Sequence, residues 1–201
     1  MEITFRDKPL GANNEYMRKI GAYLFLFTFL VLAACAPEPW GTKWDRFIDQ
    51  EGVTVEIRED TRVISLPNGI RVIETRNNGK VTSSATDDSG YGAVLCNWDI
   101  FVHLHNYLDM CFPKKYIRHK ARMSKAIDKI NDFIIANSME PVTKEMLTTA
   151  AKKRGRNKMD CKSKSLENIA QRFLELPEDE FFSGVEELLS VPRPPLYDPC
   201  L

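Results

Sequence analysis

The residues of this chain that could do chemistry are few, and they gather in one short stretch. Three histidines are present, His103, His105 and His119, and Asp99 precedes the first of them by four positions. On a helix this spacing places a carboxylate and an imidazole on one face, as a metal site or an acid–base pair requires. The segment Asp87-Asp88-Ser89-Gly90 has the residue types to hold a cation or place a nucleophile. We favour a simpler interpretation of both features. In it, the histidines are hydrogen-bonded residues of a helix, and residues 87–90 form a polar turn.

The common catalytic signatures are missing from the sequence. There is no G-x-S-x-G, no H-E-x-x-H, no phosphate-binding glycine loop, no C-x-x-C and no EF-hand spacing. The last four cysteines are 15, 50 and 39 residues apart, whereas a zinc site uses two close pairs of ligands. We therefore expect no metal, no cofactor and no catalytic residue. The alternative is an enzyme with an unrecognised site that uses Asp99, His103 and residues 87–90.

The N-terminal segment is typical of an export signal. Arg18 and Lys19 follow Met17, and residues 20–32 are then almost wholly apolar. An apolar run of about 13 residues suits a signal peptide and is too short to span the ~30 Å hydrocarbon core of a bilayer. The run ends in Leu32-Ala33-Ala34-Cys35, which resembles the lipobox of bacterial lipoproteins. The resemblance implies cleavage between Ala34 and Cys35 and a diacylglycerol group on the Cys35 thiol.

This signal sets the expected organisation of the chain. The expected parts are a signal peptide over 1–34 with Met17 as the better start, a lipidated tether over 35–45, and one domain over 46–201. In this class of lipoproteins, Asp directly after the lipidated cysteine favours the inner membrane. Ala36 occupies that position, so the resemblance implies the periplasmic face of the outer membrane in a cell with two membranes. Export also separates the chain from cytoplasmic DNA, so we do not expect a nucleic acid partner.

A run of basic residues is the densest charged feature of the expected domain. Residues 113–165 include 15 basic and 5 acidic side chains, whereas residues 166–201 include 2 basic and 8 acidic ones. Such a segment pairs with acidic parts of the same chain or binds an anionic partner. The candidate binding residues are Lys152, Lys153, Arg154, Arg156 and Lys158. Their expected partner is an anionic envelope component or an acidic protein.

The pattern of apolar residues predicts an α+β fold. Val53, Val55 and Ile57 alternate with polar residues, and two Asn-Gly turns follow at 68–69 and 78–79. Residues 46–92 are therefore expected to form a small antiparallel β-meander of three or four strands. From residue 93 to 201 the period becomes helical and predicts a disulfide-stapled bundle of about five helices. The expected helices cover 96–111, 114–137, 144–154 and about 166–174, and the last begins at Pro177.

The four cysteines of the expected domain form an even set, which predicts two disulfides in an oxidising compartment. Cys96, Cys111, Cys161 and Cys200 allow three pairings. A helix over 96–111 separates its ends by ~22 Å, and a disulfide requires Cα atoms within ~7 Å. Cys96 is therefore not expected to pair with Cys111. If successive helices alternate in direction, the favoured pairing is Cys111–Cys161 with Cys96–Cys200.

In function, these features predict a non-enzymatic envelope lipoprotein that binds another envelope component or has a structural role. The alternative is an envelope enzyme that modifies the cell wall or a lipid, with an active site that the sequence does not reveal. The two hypotheses differ in where the chemical residues lie. An enzyme requires them to converge on one cleft.

Overall fold

The structure of the chain is a computed structural model that describes residues 40–156 and 159–200. The predicted signal peptide, the cleavage site at Ala34 and the lipidation site at Cys35 lie outside these ranges. In chain order, a short 3-10 helix (Lys43–Phe47) precedes strands β1 (Thr54–Arg58), β2 (Thr61–Ser65), β3 (Ile70–Asn77) and β4 (Lys80–Asp87). Five helices follow, α1 (Val94–Cys111), α2 (Ile117–Asn137), α3 (Lys144–Arg156), α4 (Lys164–Glu175) and α5 (Glu178–Leu188). The predicted α+β architecture is therefore confirmed.

The four strands form an antiparallel meander in the order β1-β2-β3-β4. Asn78 and Gly79 join β3 to β4 with positive φ angles of 49° and 74°, the conformation that two-residue hairpin turns use. Gly69, between β2 and β3, has a φ of +84°, and a Cβ there would lie 2.5 Å from the Cα of Ser89. Only glycine fits this position, so the turn also fixes where the loop after β4 lies.

One face of the sheet packs against the 3-10 helix and forms the smaller of two apolar cores. Trp44 of that helix is buried with three aliphatic side chains of the sheet and one of the turn after β2, namely Ile64, Ile70, Val72 and Leu66. The helix begins with a capping box, in which the Thr42 side chain accepts from Trp44 N and Asp45 accepts from Thr42 N. Residues 42–45, which were expected to end the tether, are therefore part of the folded body.

The helices enclose the larger core, and α1 lies at its centre. Eight α1 residues are buried, on more than one face of the helix, and α1 contacts α2, α3 and α4. The indole N–H of Trp98 donates to Asn131 Oδ1 of α2 at 2.8 Å, which satisfies both polar groups inside the core. Helix α2 begins at Ile117, later than expected, because Tyr116 adopts a left-handed conformation with a φ of 55°.

The last segment, 192–200, lies across both cores. Leu196 packs with the sheet cluster, and its carbonyl accepts from Leu95 N of α1 at 2.8 Å. The Asp198 carbonyl accepts from Asp87 N at the end of β4 at 2.7 Å. This segment therefore joins the sheet to the helices.

Two disulfides fix the helical region, and they have the predicted pairing. Cys96 is bonded to Cys200 with a Cα–Cα distance of 5.3 Å, and Cys111 is bonded to Cys161 with a distance of 5.5 Å. The second loop is nested inside the first. Within the described ranges, every helix is too short or too polar to cross a lipid bilayer.

Candidate functional site

The Asp87–Gly90 loop, one suspect for catalysis, is held in a structural network. Asp87 is buried, and its Oδ2 accepts from Arg193 Nε at 2.7 Å, with both side chains fully buried. Its other oxygen accepts from Ser89 N at 3.1 Å and from Ser89 Oγ at 2.5 Å. Asp88 lies on the surface and pairs with Arg71 at 2.9 Å. With both oxygens of Asp87 occupied inside the protein, the loop is a buried anchor for Arg193.

Arg193 uses its whole guanidinium group to attach the C-terminal segment. Beside Asp87, it donates to three backbone carbonyls, those of Val191, Gly92 and Leu188, at 2.9, 2.8 and 3.1 Å. Gly92 lies in the loop before α1, Leu188 ends α5, and Val191 directly precedes the C-terminal segment. All three nitrogens of the guanidinium thus donate hydrogen bonds, and such bonds together with a paired carboxylate are the condition under which a buried charge is tolerated.

The second set of suspects, on α1, does not converge on a site either. Asp99 forms an ion pair with Arg154 of α3. His105 faces Asp109 one turn later, with 3.6 Å between Nδ1 and Oδ2, and His103 is half-buried on another side of the helix. Across the described ranges, no three His, Cys, Asp or Glu side chains are grouped as metal ligands. The suspects thus lie in separate surroundings and share no cleft with residues 87–90.

The predicted basic surface is divided by the structure. Arg154 is engaged by other residues at the surface, where its guanidinium pairs with Asp99, donates to the Tyr197 hydroxyl at 2.6 Å and lies 5.4 Å from the Trp98 ring centroid. Lys152 and Lys153 are exposed and pair with no acidic residue in the described part of the chain. The side chain of Arg156, at the end of α3, and the whole of Lys158 lie outside the description. Of the candidate basic residues whose side chains the structure describes, Lys152 and Lys153 are therefore the two without an acidic partner.

In the part of the helical region that the structure describes, two clefts of ligand size open to the solvent. The first, of 480 Å³, lies between α1 and α5 and has a floor of phenylalanines, with Glu180 and Glu187 among its lining residues. Gly184 of α5 also lines it, and a Cβ at that position would meet nothing within 4 Å. The second cleft, of 450 Å³, lies between the end of α1, the start of α2 and α4. Both fall within the range of about 300–1,000 Å³ that small-molecule sites occupy.

Sequence reasoning did not identify the residues of either cleft. The aromatic residues of the second cleft, Tyr107, Phe112 and Tyr116, span the boundary between two helices, and Phe112-Pro113 marks that boundary in the sequence. Glu167 and Glu175 reach the same cleft from α4, and no local pattern links them to those aromatics. Comparisons of this chain with known protein families, with characterised proteins and with solved structures find no match.

Proposed function

We propose that this chain is an exported lipoprotein, anchored through Cys35, whose folded body binds another component of the bacterial envelope and is not an enzyme. The segment Leu32-Ala33-Ala34-Cys35, placed after a charged and then apolar stretch, is the observation on which the proposal rests. Two disulfides in the body support it, because such bonds persist in oxidising compartments outside the cytoplasm. A diacylglyceryl group with a further acyl chain gives stable anchoring, at ~0.8 kcal/mol per buried CH₂.

The intact mass of the protein extracted from membranes tests the anchor. We expect a mass that starts at Cys35, increased by diacylglyceryl and acyl groups, and a Cys35→Ala variant without these additions. Chemical reduction should add about four protons, two for each disulfide. An unlipidated mass that retains residues 1–34 would contradict the export proposal.

The destination of the lipoprotein is tested separately. We propose the periplasmic face of the outer membrane in a cell with two membranes, on the basis of Ala36. Separation of the two membranes by density should place the protein with the outer membrane, and an Ala36→Asp variant should move to the inner one. An Ala36→Ser variant is the control for substitution as such. Recovery of the unaltered protein with the inner membrane would contradict this assignment.

We favour binding over catalysis because the two acidic residues considered as catalytic candidates, Asp87 and Asp99, form ion pairs with arginines. Asp87 is paired with Arg193 and Asp99 with Arg154, so each carboxylate is already engaged by a cation of the chain itself. For the partner, we propose an anionic envelope component or an acidic protein that contacts Lys152 and Lys153. Both lysines are exposed near the end of α3. Any contribution of Arg156 and Lys158 to this surface remains part of the same proposal.

A charge-reversal experiment tests the lysine surface, and the structure dictates its design. The variant should be Lys152→Glu with Lys153→Glu, and Arg154 should be kept because it holds Asp99 and Tyr197. Reversal of Lys114 and Lys115, two exposed residues in the loop before α2, is the matched control. We expect crosslinked partner recovered from intact cells to fall with the first variant and not with the control. Equal recovery with both variants would exclude the lysines as the contact.

A further inference from the structure

The second cleft has a wall of aromatic rings that meet edge to face. The Tyr107 and Phe112 centroids are 5.8 Å apart, and those of Phe112 and Tyr116 are 5.5 Å apart. The Tyr116 ring continues the wall to the His119 imidazole, at 6.1 Å. Interplanar angles of 76° to 81° turn successive rings in different directions. The wall therefore bends around the cleft instead of forming a flat stack.

Two carboxylates from α4 lie on the other side of this cleft. Glu167 and Glu175 are exposed at its rim, and neither forms an ion pair with a cation in the described residues. Glu175 accepts one hydrogen bond, from Gln171 Nε2 at 2.8 Å. The rim is therefore negative and retains free acceptor capacity on both carboxylates.

A buried polar group also reaches the cleft. The Tyr107 side chain is 1% exposed and lines the cleft, yet its hydroxyl makes no hydrogen bond to any residue that the structure describes. Burial raises the pKa of Tyr107, and the negative charge of Glu167 raises it further. The hydroxyl thus lies in a negative field with an unused capacity to accept a hydrogen bond.

The aromatic rings of this cleft differ from several other rings of the body. Cations of the chain itself lie on those rings, as Arg122 does on Phe181 at 4.9 Å, Lys129 on Phe182 at 5.9 Å and Arg154 on Trp98 at 5.4 Å. One of these rings, Phe181, forms part of the floor of the first cleft. Among the described residues, Tyr107, Phe112 and Tyr116 have no such cation.

We propose that the second cleft binds a small organic cation, with an ammonium group held against the rings of Phe112 and Tyr116, near the hydroxyl of the buried Tyr107 and opposite the carboxylates of Glu167 and Glu175. Aromatic faces attract cations through their quadrupole, and such cages suit quaternary ammonium groups. The carboxylates add charge attraction, and the hydroxyl of Tyr107 accepts a hydrogen bond from ligands that carry an N–H. The inference goes beyond the lipoprotein proposal and holds whether or not Cys35 is lipidated.

Tyr116 is held in an unusual conformation at this cleft. Its φ of 55° is in the left-handed region, which favours glycine or asparagine over a bulky aromatic residue. The position also precedes α2 without making a side-chain cap, so a capping role does not explain a tyrosine there. In the proposed site, a tyrosine at this position supplies an aromatic ring beside Phe112 and His119 for contact with the ligand.

Calorimetric titration of the full chain in a nonionic detergent tests the proposal. The probes are tetramethylammonium and choline, together with the neutral analogue of choline in which carbon replaces nitrogen. We expect saturable binding of both cations and none of the neutral analogue. Tyr116→Leu should weaken binding about tenfold, the loss expected when a cation–π contact of about 1.4 kcal/mol is removed. Tyr116→Phe retains the ring and should retain the affinity.

Charge variants locate the site. Glu167→Gln with Glu175→Gln should weaken cation binding about tenfold or more, since both carboxylates at the rim are lost. Glu180→Gln with Glu187→Gln removes the same charge from the first cleft and should leave affinity unchanged. Circular dichroism before each titration shows that a variant is folded. The proposal is wrong if neither cation binds, if the neutral analogue binds equally, or if the loss follows Glu180 and Glu187.

Discussion

The two disulfides should contribute nearly equally to stability, although their sequence separations differ about twofold. Cys96 and Cys200 are 104 residues apart and Cys111 and Cys161 are 50 apart, with the second loop inside the first. In the chain-entropy account, a disulfide stabilises the fold by restricting the unfolded chain, and the effect grows with the logarithm of loop length. When the inner bond is present, it shortens the outer loop from 104 to an effective length of about 54 residues.

The expected magnitudes follow from these loop lengths. Opening a loop of about 50 residues costs about 4 kcal/mol at room temperature, and opening one of about 54 residues costs about the same. Loss of both bonds should therefore cost about 8 kcal/mol, which is comparable to the whole stability of a typical domain, about 5–15 kcal/mol. A protein without either disulfide should be largely unfolded.

Urea unfolding of paired alanine variants measures these values. Alanine is preferred to serine because Cys96 is 1% exposed, and a buried hydroxyl would add a separate cost. Cys96→Ala with Cys200→Ala and Cys111→Ala with Cys161→Ala should each lose about 4 kcal/mol and show a steeper dependence on urea, because the uncrosslinked chain exposes more surface. Peptide mapping of the unaltered protein is the control. A pair shown to be bonded, whose removal costs under about 1 kcal/mol, would refute the loop-closure argument.

Three further predictions concern single residues. Arg193→Met should destabilise the fold by about 3–5 kcal/mol, because it leaves the Asp87 carboxylate buried without its cation, and adding Asp87→Asn should restore part of this loss in thermal unfolding. Gly184→Ala should stabilise α5 by about 0.5–1 kcal/mol, because open space surrounds the new methyl group, and an unchanged or lower midpoint would contradict this. Burial, and after it the charge of Glu167, raises the pKa of Tyr107 above its ordinary 10.0 in the folded protein. The neutral side chain therefore contributes stability that is complete below about pH 10, and this contribution is lost as the pH rises through the folded-state pKa. Tyr107→Phe should therefore lose less stability than the unaltered protein between about pH 9 and about pH 12, and an equal loss would contradict it.

The fold class was predictable because local signals agree with one another along most of the body. Two Asn-Gly turns separate short alternating segments, and each of the longer apolar segments has a helical period. The disulfide pairing followed from the length of α1, which keeps Cys96 away from Cys111, and from the assumption that successive helices alternate in direction.

The contacts that the sequence did not reveal are those between distant residues. Asp87 and Arg193 are 106 positions apart, so no periodic pattern links the loop after β4 to the last segment of the chain. Arg154 looks in the sequence like another member of a basic run, and only the tertiary fold shows that Asp99 and Tyr197 hold it. The core partners of Trp44 lie in the sheet and the turn after β2, between Ile64 and Val72, and no local pattern of the sequence links them to it.

The C-terminal segment has a consequence for the order in which the protein can acquire its structure. Leu196 packs in the sheet core, Arg193 neutralises Asp87, and Cys200 closes the outer disulfide, all within a segment of eight residues. During synthesis the sheet and the helices emerge before this segment, so Asp87 stays in water until Arg193 has followed. The step that closes the fold therefore depends on one short segment, and not on the helical region that precedes it. A premature stop codon before Arg193 would leave a chain without its closing contacts, however much of its helical region had been made.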